Sequence, residues 1–304
     1  MKLHCRDRVV EITRPLIMGI VNATPDSFSD GGDLNGVDAV VARALDLIGQ
    51  GADVIDIGGQ SAITGVPEIS IADEIDRVLP AVIGLRRASP DCFISVDTYR
   101  ADVAIAVLDA GADIINDVSG LLDGALGDVI ARFGAGYVFM HTRWKPKTRH
   151  DAVGLYDHAP RGVVGDVHSF LGDGLQRLAA IGIDTECVIL DPGPDFSKTP
   201  HQTVEVLRAL PDFVALGRPL LLALSRKDFI GWITERAPRE RLAGTLGAVA
   251  ATVAVAPSTI LRVHDVAAVR DFLAVLDVLE NRAEIPADAI LANRLRWQSG
   301  GARS

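Results

Sequence analysis

The chain has 304 residues, with 30 lysines and arginines against 40 aspartates and glutamates, a formal charge of −10. Hydrophobic residues make up 48% and charged residues 23%, enough apolar material for one large core and against a disordered chain. The acidic balance, with no basic cluster to offset it, excludes a nucleic-acid surface; an anionic ligand would need a local cationic pocket. Three cysteines, Cys5, Cys92 and Cys187, lie far apart with no CxxC pair, which argues against a disulfide framework or a zinc–thiolate site. Residues 1–14 contain no apolar leader core, and the apolar stretch 246–257 is too short to span a bilayer. A cytoplasmic protein without a membrane partner is expected.

In chain order, eight short apolar runs read as buried strands: 16–21, 54–57, 93–96, 114–116, 137–140, 188–190, 220–224 and 260–263. Leucine and β-branched residues dominate them, as in parallel strands covered on both faces. Helical periodicity fills 37–50, 101–110, 125–133, 163–181, 203–210, 241–255 and 266–279. Alternating strand and helix allows a closed barrel or an open doubly wound sheet. No GxGxxG follows the first strand, and polar residues stand at every strand exit: Asn22, Gln60, Asp97, Asn116, His141, Asp191, Ser225 with Lys227, and Arg262 with His264. A barrel gathers all eight exits at one mouth, where such folds keep their chemistry. The expected architecture is a single α/β domain, a (β/α)8 TIM barrel over 14–282, with a lead-in over 1–13 and a frayed tail over 283–304.

Arg262 and His264 alternate about Val263, so both side chains are expected to face the mouth, and Arg226 and Lys227 leave the neighbouring strand. Together they form a cationic patch suited to a phosphate or diphosphate; the alternative is that Arg262 pairs with Asp265 or another carboxylate. Asp97, Asn116 and Asp191 make a ring of one amide and two carboxylates. Such a ring suits a flat heterocycle with several N–H donors, or else a buried polar network. A metal site is poorly supported, because no histidine pair stands at ligand spacing. The loop Asn22-Ala-Thr-Pro-Asp-Ser-Phe-Ser-Asp-Gly-Gly32 is long, polar and glycine-ended, a candidate lid.

These segments resemble the dihydropteroate synthases. The resemblance rests on Met18-Gly-Ile-Val-Asn-Ala-Thr-Pro-Asp-Ser-Phe-Ser-Asp-Gly-Gly32, Gly51-Ala-Asp-Val-Ile-Asp-Ile-Gly-Gly59, Ser95-Val-Asp-Thr98 and Ile115-Asn-Asp-Val-Ser-Gly120. Met140-His141, Leu190-Asp-Pro-Gly193, Ser225-Arg-Lys227 and Arg262-Val-His-Asp-Val266 complete it, in order. That family joins 6-hydroxymethyl-7,8-dihydropterin diphosphate to p-aminobenzoate with Mg2+. The resemblance implies a pterin held by Asp97, Asn116, Asp191, Phe196 and Lys227, and a diphosphate held by Asn22, Arg262 and His264. It further implies that Asn22 touches Mg2+, and that Phe28, Ser61, Ile63, Thr64 and Ser225 border a slot for p-aminobenzoate or sulfonamide-like analogues. In an active enzyme Lys227, Arg262 and His264 would carry the catalysis. A homodimer through the late helices, notably 241–255, is also implied.

The chain departs from the family pattern at specific places. Where the family reads Gly-Glu-Ser-(Thr/Ser)-Arg-Pro-Gly, this chain reads Gly59-Gln-Ser-Ala-Ile-Thr-Gly65, so Ile63 replaces an arginine that meets the diphosphate and Thr64 a proline. Asp195 stands where the family has a glycine, an added carboxylate expected to crowd the ring and repel the diphosphate. Ala223 replaces a glycine before the Ser-Arg-Lys motif. The reading is a divergent paralogue with a pterin-type pocket and impaired or absent synthase activity. A fully active synthase and a non-catalytic pterin-binding or interaction protein are the alternatives.

Overall fold

The computed structural model describes residues 1–23, 36–60, 67–148 and 152–297. Strands β3 (Leu16–Asn22), β4 (Val54–Gly58), β5 (Phe93–Asp97), β6 (Ile114–Asp117), β7 (Gly136–Met140), β8 (Val188–Asp191), β9 (Leu220–Leu222) and β10 (Thr259–Val263) close into an eight-stranded parallel barrel. The expected TIM barrel is what the chain adopts. Around it run α1 (Gly36–Gly49), α2 (Ile71–Ala88), α3 (Ala101–Asp109), α4 (Gly124–Phe133), α5 (Gly162–Ala180), α6 (Pro200–Arg208), α7 (Leu210–Val214), α8 (Asp228–Thr234), α9 (Leu242–Val253) and α10 (Val266–Leu279). None of these helices is long and apolar enough to cross a membrane.

The two-residue period of a strand divides every barrel strand between two cores. Ile17, Ile55, Ile57, Ile94, Val96, Ile115, Tyr137, Phe139, Leu190, Leu222, Leu261 and Val263 face the helices. The alternate residues Leu16, Met18, Val54, Ile114, Val138, Ile189, Leu221 and Ile260 fill the barrel interior at its lower end. One period further along the same face come Asp56, Asn116, Asp191 and Arg262. The interior thus changes from apolar to polar within one two-residue step, and that step sets the floor of the site.

The lead-in hairpin and helices α2 and α8 were not among the expected elements. The lead-in forms an antiparallel hairpin of β1 (Lys2–Cys5) and β2 (Arg8–Glu11), whose Leu3 and Cys5, with Ile12 just after it, plug the lower end of the barrel. Arg8 ties it down by donating to Asp113 at 3.0 Å. Burying the leucine and isoleucine contributes about 1.5–3 kcal/mol each. Helix α2 has no counterpart among the expected helices. Pro80 lies inside it and argues locally against a helix. Its stripe of Val78, Ala81, Val82 and Leu85 is buried, and Ser70 caps it by accepting from the Asp73 N–H at 3.0 Å. Packing outweighs the proline here.

Candidate active site at the barrel mouth

Arg262 lies at the centre of the polar layer. Its Nε donates to Asp56 Oδ2 at 2.7 Å and its Nη2 to Asp97 Oδ2 at 2.8 Å. The alternative pairing with Asp265 is taken instead by Arg226, whose guanidinium meets that carboxylate at 2.7 and 3.2 Å. Arg226 is therefore committed to a structural ion pair and leaves the cationic patch that the sequence suggested. Among the described residues only two of the Arg262 donors are engaged, both by these carboxylates.

Asp56 was quoted in a motif but given no role, and it is the missing member of the site. It is fully buried and accepts from Ser95 Oγ at 2.6 Å, from Arg262, and from Asn116 Nδ2 at 3.2 Å. The period-two step from Val54 was the signal that could have found it. The Asn116 side-chain oxygen is buried and has no hydrogen-bond partner among the described residues. Asp97 stands beside this cluster with its pKa pushed up to about 7, by burial first and then by Asp56, Glu74 and Asp117, against the pull of Arg262. Burial also raises Asp191 to about 6, opposed by the Gly193 N–H that it accepts at 2.7 Å and by Lys227.

Lys227 precedes α8 and places its ammonium 4.4 Å from the centre of the Phe196 ring. Burial lowers its pKa, while Asp195 and Asp191 oppose the shift. His264 is held near Ser225, with Nδ1 at 3.1 Å from Oγ, and burial followed by Arg226 and Arg262 lowers its pKa to about 4. At neutral pH this imidazole is uncharged. Asn22 ends β3, exposed at the mouth. Structure thus gathers Asp97, Asn116, Asp191, Phe196, Lys227, Arg262, His264, Ser225 and Asn22 at one end of the barrel. Phe28, Ser61, Ile63 and Thr64 lie outside the described residues.

The loop after β8 is held from below by Lys198, another residue the sequence reading left without a role. Its buried Nζ donates to Gly193 O at 2.9 Å and Phe196 O at 3.0 Å and meets His141 Nδ1 at 2.8 Å. His141 Nε2 in turn meets Asp166 at 2.9 Å. Gly193 has φ +64, and a Cβ there would stand 2.2 Å from the His141 carbonyl, so only glycine fits. Asp195 adopts φ +64 as well. Its carboxylate accepts from the Asp228 N–H at the start of α8 at 2.6 Å and from Thr203 Oγ1 at 3.0 Å. The expected repulsive carboxylate is spent on capping α8 and bracing α6, which is a structural use rather than an intrusion on the ring.

Mg2+ fits this mouth only in one manner. The one group of histidine, cysteine and carboxylate side chains close enough to hold an ion among the described residues is His4, Asp184 and Glu186, near the lower end of the barrel. A mouth offering Asn22 rather than a carboxylate cage suits an ion that arrives on substrate phosphates and keeps its waters.

A parallel eight-stranded barrel whose interior turns from apolar to polar at the strand exits places these side chains in one (β/α)8 mouth. A family profile described as pterin binding enzyme matches residues 18–264. Over 268 residues the chain is 39% identical to the dihydropteroate synthase of Synechocystis sp., covering 88% of this chain and 90% of that one. It is 45% identical over 271 residues to a protein of Mycobacterium tuberculosis named inactive dihydropteroate synthase 2, covering 88% and 83%. The solved structure of Xanthomonas albilineans dihydropteroate synthase with 4-aminobenzoic acid superposes with a TM-score of 0.83 at 38% identity, covering 92% and 98%. The same enzyme with 7,8-dihydropteroate gives 0.80, covering 92% and 99%. The chain belongs to the dihydropteroate synthase family of pterin-binding enzymes.

Proposed function

We propose that the barrel binds 6-hydroxymethyl-7,8-dihydropterin diphosphate and condenses it with p-aminobenzoate poorly or not at all. The observation that supports the pterin half is the set of acceptors at the barrel floor, the buried Asn116 and Asp191 and the half-buried Asp97, beside the stacked pair Lys227 and Phe196. A 2-amino-4-oxo heterocycle supplies N–H donors to these acceptors, above all to the Asn116 oxygen, which no described residue reaches. Arg262 and the neutral His264 would meet the diphosphate and stabilise its charge as the C–O bond breaks. Mg2+, when bound, would neutralise further charge on the diphosphate, with Asn22 as its protein contact.

The impairment half rests on the second loop. Ile63 cannot make the charge-assisted contact of an arginine, and Thr64 lacks the stiffness of a proline. The similarity to the mycobacterial protein named as inactive points the same way. Full synthase activity remains the second reading, and one observation favours it: Asp195 is capped away on α8.

Titration with the pterin diphosphate and Mg2+, followed by p-aminobenzoate and an assay of pyrophosphate, tests both halves. Saturable binding with release about 10–100-fold slower than a working synthase is expected, the worth of one charged hydrogen bond. Release at the ordinary rate would establish the second reading. Absence of binding would refute the pterin reading and leave an interaction role.

We also propose a homodimer through the late helices. Trp232 is 75% and Ile233 59% exposed on α8, beside an apolar groove that includes Val204 and Phe229, with Leu242 and Val255 exposed nearby in sequence. Sedimentation at micromolar concentration is expected to give twice the chain mass; a monomer there would reject the dimer.

A further inference from the structure

Asn116 has two chemically opposite ends on one amide, and the identity of the end facing the ligand decides what the pocket can read. Its Nδ2 lies 3.2 Å from Asp56 Oδ2. Asp56, paired with Arg262, is a carboxylate and can only accept. Whichever amide atom faces it must therefore be the nitrogen. That turns Oδ1 the other way, where it is buried and meets no partner among the described residues, a state that costs free energy until a donor reaches it.

We infer that Asp56 is a positioning residue: it fixes the direction of the Asn116 amide, and so makes this strand exit accept an N–H from the ligand rather than donate one. Asp56 is itself prevented from turning. Ser95 Oγ donates to Oδ1 at 2.6 Å and Arg262 Nε to Oδ2 at 2.7 Å, and both Asp56 and Ser95 are fully buried. Adjacent registry of β4 and β5 sets Asp56 directly beside Ser95, so the anchor is built into the barrel rather than carried on a loop. Without it the two ends of the amide are nearly equal in size and either fits. With it, Asn116 joins Asp97 and Asp191 as an acceptor, and all three address one donor-rich edge. The same Asp56 oxygen holds Arg262, so the group that orients base recognition also orients the cation nearest the diphosphate position.

This inference deepens the pterin reading and rests on it for its ligand, but the amide direction can be measured without one. The probe is 6-hydroxymethylpterin, titrated against the full chain and four variants. Asp56→Asn keeps a carbonyl oxygen able to face Nδ2, so it is expected to bind more tightly than Asp56→Ala, a partial rescue that a merely structural role would not give. Asp56→Ala frees the amide and is expected to weaken binding by about tenfold or more, the worth of one buried hydrogen bond. In an Asn116→Ala background the same change is expected to cost less than about threefold, because Asp56 acts through that amide. Equal affinity of Asp56→Ala and the parent, or full additivity with Asn116→Ala, would overturn the inference.

The ligand-free arm follows the Asn116 side-chain amide by nitrogen-15 NMR. One slowly exchanging pair of protons is expected in the parent and in Asp56→Asn, with turning between two environments in Asp56→Ala. An amide that already turns freely in the parent sinks the inference whatever pterin does. If the parent binds no pterin, the functional reading falls, and this arm alone upholds or rejects the role of Asp56.

Discussion

Changing Ile63 to arginine and Thr64 to proline together is expected to raise pyrophosphate release with p-aminobenzoate by about 10–100-fold, with pterin affinity nearly unchanged. A guanidinium meeting the departing diphosphate gains most when negative charge accumulates there, so the change appears in kcat more than in KM. Proline adds a smaller effect by restricting the backbone at position 64, worth about 0.4–1 kcal/mol where the native backbone is compatible. Lysine at position 63 is expected to recover less than arginine, because a point charge cannot form the two parallel hydrogen bonds of a planar fork. Steady-state rates on the parent, the two single variants and the pair decide the matter. A parent that already turns over as fast as the double variant would show that the second loop is not what limits this chain.

The fold was legible because its signals are local. Buried parallel strands are short and apolar on both faces, and each expected strand coincides with an observed one to within a few residues. Among the elements that escaped, two did so because a tertiary term decided them. Helix α2 carries Pro80 in its interior, so local preference misleads, and the hairpin of β1 and β2 exists because the lower barrel needs a plug. The site was legible as a set of strand exits but not as a set of pairs. Arg262 and Asp56 are 206 residues apart, and no spacing rule distinguishes that partner from Asp265, three residues on. Likewise Asp195 read as a threat to the ligand, since sequence alone does not reveal that α8 begins close enough for its first N–H to claim the carboxylate.

Replacing Arg262 with methionine is expected to cost about 3–5 kcal/mol of stability near pH 8, because it strands the Asp56 carboxylate in the barrel and leaves Asp97 either to bury an unpaired charge or to take up a proton. The loss should depend on pH in a direction that the geometry fixes. Asp97 already has its pKa raised to about 7 with Arg262 opposing the shift, so removing the guanidinium raises it further. An acid whose folded pKa lies above its unfolded value of about 3.9 contributes stability at low pH that is lost as pH rises through the folded pKa. The deficit of the variant is therefore largest near pH 8 and shrinks toward pH 5.5, where Asp97 takes up a proton and its buried charge disappears. Adding Asp97→Asn to the methionine variant is expected to flatten that dependence and return part of the stability at pH 8, while Asp56 retains its bonds from Ser95 and Asn116. Urea denaturation of the three chains at pH 5.5, 7 and 8 reads both effects. A methionine variant as stable as the parent at pH 8 would mean that the ion pairs contribute nothing net to the fold. A deficit that grew on acidification would mean that Asp97 is not the group that titrates.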